Sequence, residues 1–388
     1  MAYQKTLISI FIFMLGSLFS FSGCGKSAKN ENIVKKTDDT PKPADMITKA
    51  YGKLLPPPDD KIYFGAYADF GPAEDNVSEI NIKRFEKTAG KKIAWAYFSN
   101  QWDEGIVYPK EKVHEVYNAG KIPFIRMIPQ MGTGEDVHDQ DPVYKMQSFI
   151  DGDFDEDLRQ WARDAKADKI PLLIDFGVEM TGFWMPWSGL YCGAGKTDGY
   201  GDPTYPDGPE RFRDAYRHII NIFREEEVHN VTWFFHPDIQ RLPDEEWNSA
   251  KYYYPGDDYI DWIGLSVYGV QFKNEDWILF SESVAQSANN ISQITSANKP
   301  VAILEFGVTD GRSDGTKSDW FIDAFDTILN TPKLNIKAIS YWNENWENKD
   351  GSYTLLKIDS SPHSLTTFKS LIQNDRFISK CNFEELAQ

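Results

Sequence analysis

Two glutamates carry the clearest chemistry in this chain. Glu179 follows the apolar run at 171–178 (PLLIDFGV), and Glu305 follows the run at 299–304 (KPVAIL). Carboxylates at the carboxyl ends of two strands far apart in sequence make a candidate acid–nucleophile pair for breaking a glycosidic bond. Cleavage with retention needs two carboxyl groups about 5–5.5 Å apart, one protonated and one ionised. Glu179 would protonate the leaving oxygen while Glu305 attacks the anomeric carbon, and no cofactor or metal is required. For Glu179 to hold a proton its environment must favour the neutral form, and the charge of Glu305 and the flanking Trp184 are placed to do so. Tyr268 is placed to donate a hydrogen bond to Glu305. The competing reading of a single strand-end glutamate is a solvated residue or an arginine partner, for which Arg126 is available.

The segments that would position these side chains alternate in type. Strands are predicted at 62–68, 92–99, 122–128, 171–178, 231–236, 260–267, 301–305 and 336–342, each short, rich in β-branched and aromatic residues, and bounded by Gly, Pro, Asn or Asp. Amphipathic helices are predicted between them, for example at 155–167, 209–226, 277–296 and 317–329. Pro209 opens one where its missing N–H costs nothing, and Glu210 suits the positive end of the helix dipole. Eight such repeats point to a single (β/α)8 TIM barrel over residues 61–380. The alternative, an open doubly wound sheet, is weakened by the lack of a Gly-rich phosphate loop after the first strand. In a barrel the catalytic groups sit at the carboxyl ends of the strands. Counting places Arg126 at the end of strand three, Glu179 after strand four, His236 after strand five, Tyr268 after strand six, Glu305 at strand seven and Trp342 at strand eight. Flat aromatic rings stack on pyranose faces, so Trp184, Trp187 and Trp342 are candidate sugar platforms. His236 and Arg126 are candidate polar contacts.

The segment EMTGFWMPW at 179–187 resembles the acid/base segment of glycoside hydrolase family 26, largely retaining endo-β-1,4-mannanases on a (β/α)8 barrel. GPERF at 208–212, AYRH at 215–218, NVTW at 230–233, the segment at 254–264 and LEFG at 304–307 are similar to further family segments in the expected order. The resemblance implies that Glu179 is the general acid/base and Glu305 the nucleophile. It also implies that Trp184 and Tyr268 lie near the reactive subsite and that Trp342 stacks on sugar. The chain departs from the family pattern where a His before the acid/base Glu and an Asn two residues after it give way to Val178 and Thr181. This leaves β-1,4-mannan, β-1,3-1,4-glucan and β-1,3-xylan open as substrates. A non-catalytic glycan-capturing protein is the alternative of a different class.

The N-terminal residues read as address rather than fold. An apolar stretch at 7–21 follows Lys5 and ends in FSGC, so residues 1–23 are expected to be a lipoprotein signal with Cys24 as the lipidated residue. Residues 24–60 are polar and proline-punctuated and are expected to be a flexible tether. The protein is therefore expected to be a monomeric cell-envelope lipoprotein, held to a membrane by its lipid and facing either the cell surface or the periplasm. Acidic residues number 59 against 41 Lys plus Arg, and the net charge of -18 argues against nucleic acid as a partner. Polysaccharide or oligosaccharide is the expected partner. Cys192 and Cys381 are left either to pair or to stay reduced.

Overall fold

The computed structural model describes residues 51–386, apart from 59, 133–138 and 332–333. The signal segment, Cys24 and most of the expected tether lie outside the described residues. The folded body begins earlier than expected. Strand β1 (Tyr51–Leu54) pairs antiparallel with β11 (Phe383–Glu385). Residues 51–54, expected to lie in the tether, are therefore a paired strand of the folded body, and their partner strand lies beyond 380. Leu54 explains why: its side chain is buried, its N–H donates to Thr232 Oγ1 at 2.7 Å, and its carbonyl accepts from Trp262 Nε1. This strap lies across the amino ends of barrel strands, away from the carboxyl ends where Glu179 and Glu305 stand.

The barrel strands are β2 (Ile62–Tyr67), β3 (Trp95–Gln101), β4 (Ile122–Ile128), β5 (Leu172–Phe176), β6 (Val231–Phe235), β7 (Trp262–Tyr268), β8 (Val301–Gly307) and β9 (Ile336–Trp342). Each pairs in parallel with its neighbour in chain order, and β9 returns to β2 through Tyr63↔Ala338 to Tyr67↔Trp342, which closes the cylinder. A strand in such a barrel has side chains facing the interior on one side and helices on the other. It is therefore predominantly apolar, and β2, β4, β5, β6 and β8 are buried at every position, the polar Arg126, Asp175, Thr232 and Glu305 included. A short β10 (Phe377–Ile378) adds to the start of β2.

The major helices are α1 (Glu79–Ala89), α2 (Lys110–Asn118), α3 (Met146–Ile150), α4 (Asp155–Asp168), α5 (Asp207–Glu225), α6 (Ala250–Tyr253), α7 (Phe280–Ser292), α8 (Lys317–Asn330) and α9 (Pro362–Ile372). In α5 the buried residues Phe212, Ala215, Tyr216, Ile219, Ile220 and Phe223 recur at helical spacing and form one face against the sheet. Asp207 and Glu210 occupy its first turn, where the dipole favours negative charge. Both cysteines among the described residues are free thiols: Cys192 is buried within the loop after β5, and Cys381 is half-buried near the strap.

Candidate active site

The loop after β5 turns sharply. Gly177 has φ 58°, and a Cβ there would stand 2.8 Å from Phe212 Cε2, so glycine is required on both counts. Two residues on, Glu179 is also left-handed at φ 55°. A non-glycine residue there costs of order 1 kcal/mol or more and persists only where its surroundings hold it. The holding bonds are visible. Glu179 N–H donates to the His236 carbonyl at 2.7 Å, and its own carbonyl accepts from Gly182 N–H at 2.9 Å. The side chain is 7% exposed, and Oε2 accepts from Trp184 Nε1 at 2.7 Å. Trp184, expected from sequence to flank this carboxyl and favour its neutral form, thus meets it as a hydrogen-bond donor.

Glu305 lies within β8 and is 4% exposed. The β7–β8 register slips between Leu265 and Ser266, which brings Glu305 beside Ser266. Tyr268 OH donates to Glu305 Oε2 at 2.9 Å, while Arg126 Nε stands 3.5 Å from Oε1. Burial pushes the Glu305 carboxyl up to about 7; Arg126 pulls it down, and the charge of Glu179 adds to the rise. The two glutamates are therefore near enough to sense one another across the barrel mouth. Desolvation works against the Arg126 charge, but Glu305 and Glu74 outweigh it and keep the guanidinium firmly protonated.

Several residues expected to touch sugar do other work. Arg126 is 4% exposed, pairs with both Glu305 and Glu74 Oε2, and lies over the Trp342 ring at 5.0 Å. It is a buried counter-ion rather than a contact on the cleft wall. His236 is 1% exposed, with Nδ1 2.9 Å from Asp175 Oδ2 and Nε2 3.0 Å from Ser266 Oγ. Both ring nitrogens are engaged, so it has none left for a sugar hydroxyl. Trp187 is also buried, its Nε1–H pinning the Val178 carbonyl at 2.7 Å, so it shapes the loop from beneath and offers no platform. Trp342 stacks face to face on Tyr67 at 3.9 Å and is 4% exposed, which leaves only a narrow part of the indole open to a ligand. Trp184 and Tyr268 are half-buried and do line the mouth. Val178 and Thr181, which depart from the family pattern, are fully buried; Thr181 Oγ1 donates to the Gln240 carbonyl at 3.1 Å.

Three carboxyl groups were missed from sequence. Asp238, in the loop after β6, accepts from Gln240 N–H at 2.6 Å. Burial, then the charges of Glu179 and Glu305, hold its carboxyl well above the ordinary range. Glu344, just past β9, accepts from Trp342 Nε1 at 3.2 Å and is pushed up to about 8, chiefly by burial and then by Glu74. Glu74 accepts from Ser99 Oγ at 2.6 Å as well as from Arg126. The position of Asp238 just past a strand end was the available signal; Glu74 and Glu344 had none beyond residue type. Chemically, the arrangement offers two opposed carboxyls, each with a dedicated donor, one cation against one of them, and a half-buried aromatic beside the other.

The profile of glycosyl hydrolase family 26 matches residues 135–347. Endoglucanase H of Acetivibrio thermocellus is 26% identical over 300 residues, covering 76% of this chain and 29% of that protein. A mannan endo-1,4-beta-mannosidase of Bifidobacterium adolescentis is 24% identical over 233 residues, covering 57% of this chain and 22% of that one. The chain thus spans less than a third of the length of these curated relatives. Among solved structures, a Cellulomonas fimi endo-beta-1,4-mannanase double mutant superposes with a TM-score of 0.56 at 17% identity, over 82% of this chain and 72% of that one. At that identity the likeness speaks for the barrel fold.

Proposed function

Because the chain belongs to glycosyl hydrolase family 26, we propose that it cleaves internal β-linkages of a polysaccharide, β-1,4-mannan first, by double displacement with retention. The observation that carries this reading is the opposed pair itself: Glu179 held by Trp184, and Glu305 held by Tyr268 and faced by Arg126. In the first step Glu305 attacks the anomeric carbon as the glycosidic C–O bond breaks, and Glu179 gives its proton to the leaving oxygen. In the second, the Glu179 carboxylate takes a proton from water, which attacks the glycosyl ester and releases Glu305 with the configuration restored. Tyr268 and Arg126 both favour the ionised Glu305 that the first step consumes. Their pull opposes the burial that excludes water from the same carboxyl.

Mannan leads because one curated relative and the superposed structure are mannanases. The test is reducing-sugar release from mannan, galactomannan, mixed-linkage glucan and xylan, beside Glu179→Gln and Glu305→Gln. Proton NMR of the first-formed product reads the anomer. Activity on mannan that disappears in both variants is expected; turnover of none of the four, or turnover surviving both substitutions, refutes the assignment. We also propose that the protein is exported and lipidated at Cys24, which incorporation of a labelled fatty acid, lost in Cys24→Ala, would test.

A further inference from the structure

Beneath the two glutamates runs a fully buried polar chain that substrate cannot reach. Tyr97 OH donates to Asp175 Oδ2 at 2.6 Å, His236 Nδ1 lies 2.9 Å from the same oxygen, and His236 Nε2 lies 3.0 Å from Ser266 Oγ. Tyr97, Asp175, His236 and Ser266 come from β3, β5, the end of β6 and β7, and each is at most 1% exposed. A carboxylate accepts only, so Asp175 fixes the proton on Nδ1 and leaves Nε2 to accept from the Ser266 hydroxyl. Polar atoms so deep in a barrel are costly unless hydrogen-bonded, and these bond one another, with Asp175 Oδ1 alone of them left without a partner. Two contacts lead upward. The His236 carbonyl receives Glu179 N–H and thereby holds its left-handed backbone. Ser266 is the register partner of Glu305, at the point where the β7–β8 ladder slips.

We propose that His236 is a positioning residue that sets both glutamates at once, Glu179 through its main chain and Glu305 through its ring and Ser266. The inference rests on the hydrolytic reading above. A side-chain substitution leaves the His236 carbonyl in place, so its effect falls on the Glu305 side. Glu305 attacks whatever the leaving group, so an aryl glycoside with an activated leaving group and the polysaccharide should lose rate alike. A fault at Glu179 would spare kcat/KM on the activated substrate, whose leaving group needs no protonation in the first step.

The experiment compares Ser266→Ala, His236→Gln and wild type for kcat and KM on both substrates, with folding checked by circular dichroism. Ser266→Ala guards against a His236 variant that fails to fold. The expected result is a kcat lower by roughly 10- to 100-fold on both substrates with KM within about twofold, since neither side chain is open to sugar. A folded Ser266→Ala with unchanged kcat, a KM rising in proportion, or an activated substrate that is spared overturns the proposal. If wild type turns over no glycan, the hydrolytic reading fails separately, and a 13C-carboxyl titration of Glu305 decides the network alone. The groups facing His236 in that titration are Tyr97, Asp175, Ser266, Glu179 and Glu305, with Arg126 beyond Tyr97. Removing the imidazole should then move the Glu305 midpoint, and an unmoved midpoint overturns the proposal.

Discussion

Arg126→Met tests the electrostatics of the site at its most loaded point. In the native protein burial lifts the Glu305 carboxyl to about 7, with Arg126 the leading opposing influence. A cation 3.5 Å from Oε1 typically lowers a carboxyl by roughly one to three units. Removing it should raise the Glu305 midpoint by a similar amount. At pH 7 the ionised share would fall from about half to between roughly a tenth and a thousandth, and the rate of nucleophilic attack would fall with it. The sign is specific: activity is lost at neutral pH and partly regained as pH rises, so the acid limb of kcat/KM moves to higher pH. The assay is kcat/KM from pH 5 to 10 for wild type, Arg126→Met and Arg126→Lys, the last keeping a charge without the planar fork. Breaking a buried pair also costs about 3–5 kcal/mol of stability, so each variant must be shown folded at every pH. A folded Arg126→Met whose profile keeps the native acid limb, or whose loss is uniform with pH, would refute the assignment of Arg126 as counter-ion to Glu305.

Trp184→Phe keeps the ring but removes the donor 2.7 Å from Glu179 Oε2. A hydrogen bond to a charged group contributes about 1.5–3 kcal/mol, so kcat on polysaccharide should fall by roughly 10- to 150-fold, measured by steady-state kinetics. Glu344 is pushed from 4.5 to about 8, so its proton is retained in the folded state over the window in which the unfolded chain has lost it. Its contribution therefore erodes stability as pH rises from about 5 to 8, by an amount on the order of 4 kcal/mol. Glu344→Gln should flatten that slope and be more stable than wild type at pH 8 but not at pH 5, read from denaturant melts at both.

The barrel and the two strand-end glutamates were legible because both rest on short-range pattern. Apolar runs bounded by turn residues gave the eight strands in order, and Glu179 and Glu305 stood at strand ends where a barrel exposes its chemistry. What could not be read was depth. His236, Trp187 and Arg126 have side chains equally at home in a core or a cleft, and only the packing of β3, β5 and β7 around His236 decides which. Glu74 and Glu344 gain their importance from burial beside one another, which no local pattern encodes. The strap at Tyr51–Leu54 was hidden for another reason. It is short, it adjoins a proline-rich stretch, and its partner strand lies at the far end of the chain.

That strap has a mechanical consequence. Tyr51 pairs with Glu385 and Leu54 with Phe383, so the two outer ends of the pair leave the barrel side by side. Tension applied between residues 51 and 385 would open this ladder like a zipper, one hydrogen bond at a time, and at low force. The closed cylinder has no free edge of its own to peel, so the strap should yield first and leave the barrel, with both glutamates, intact.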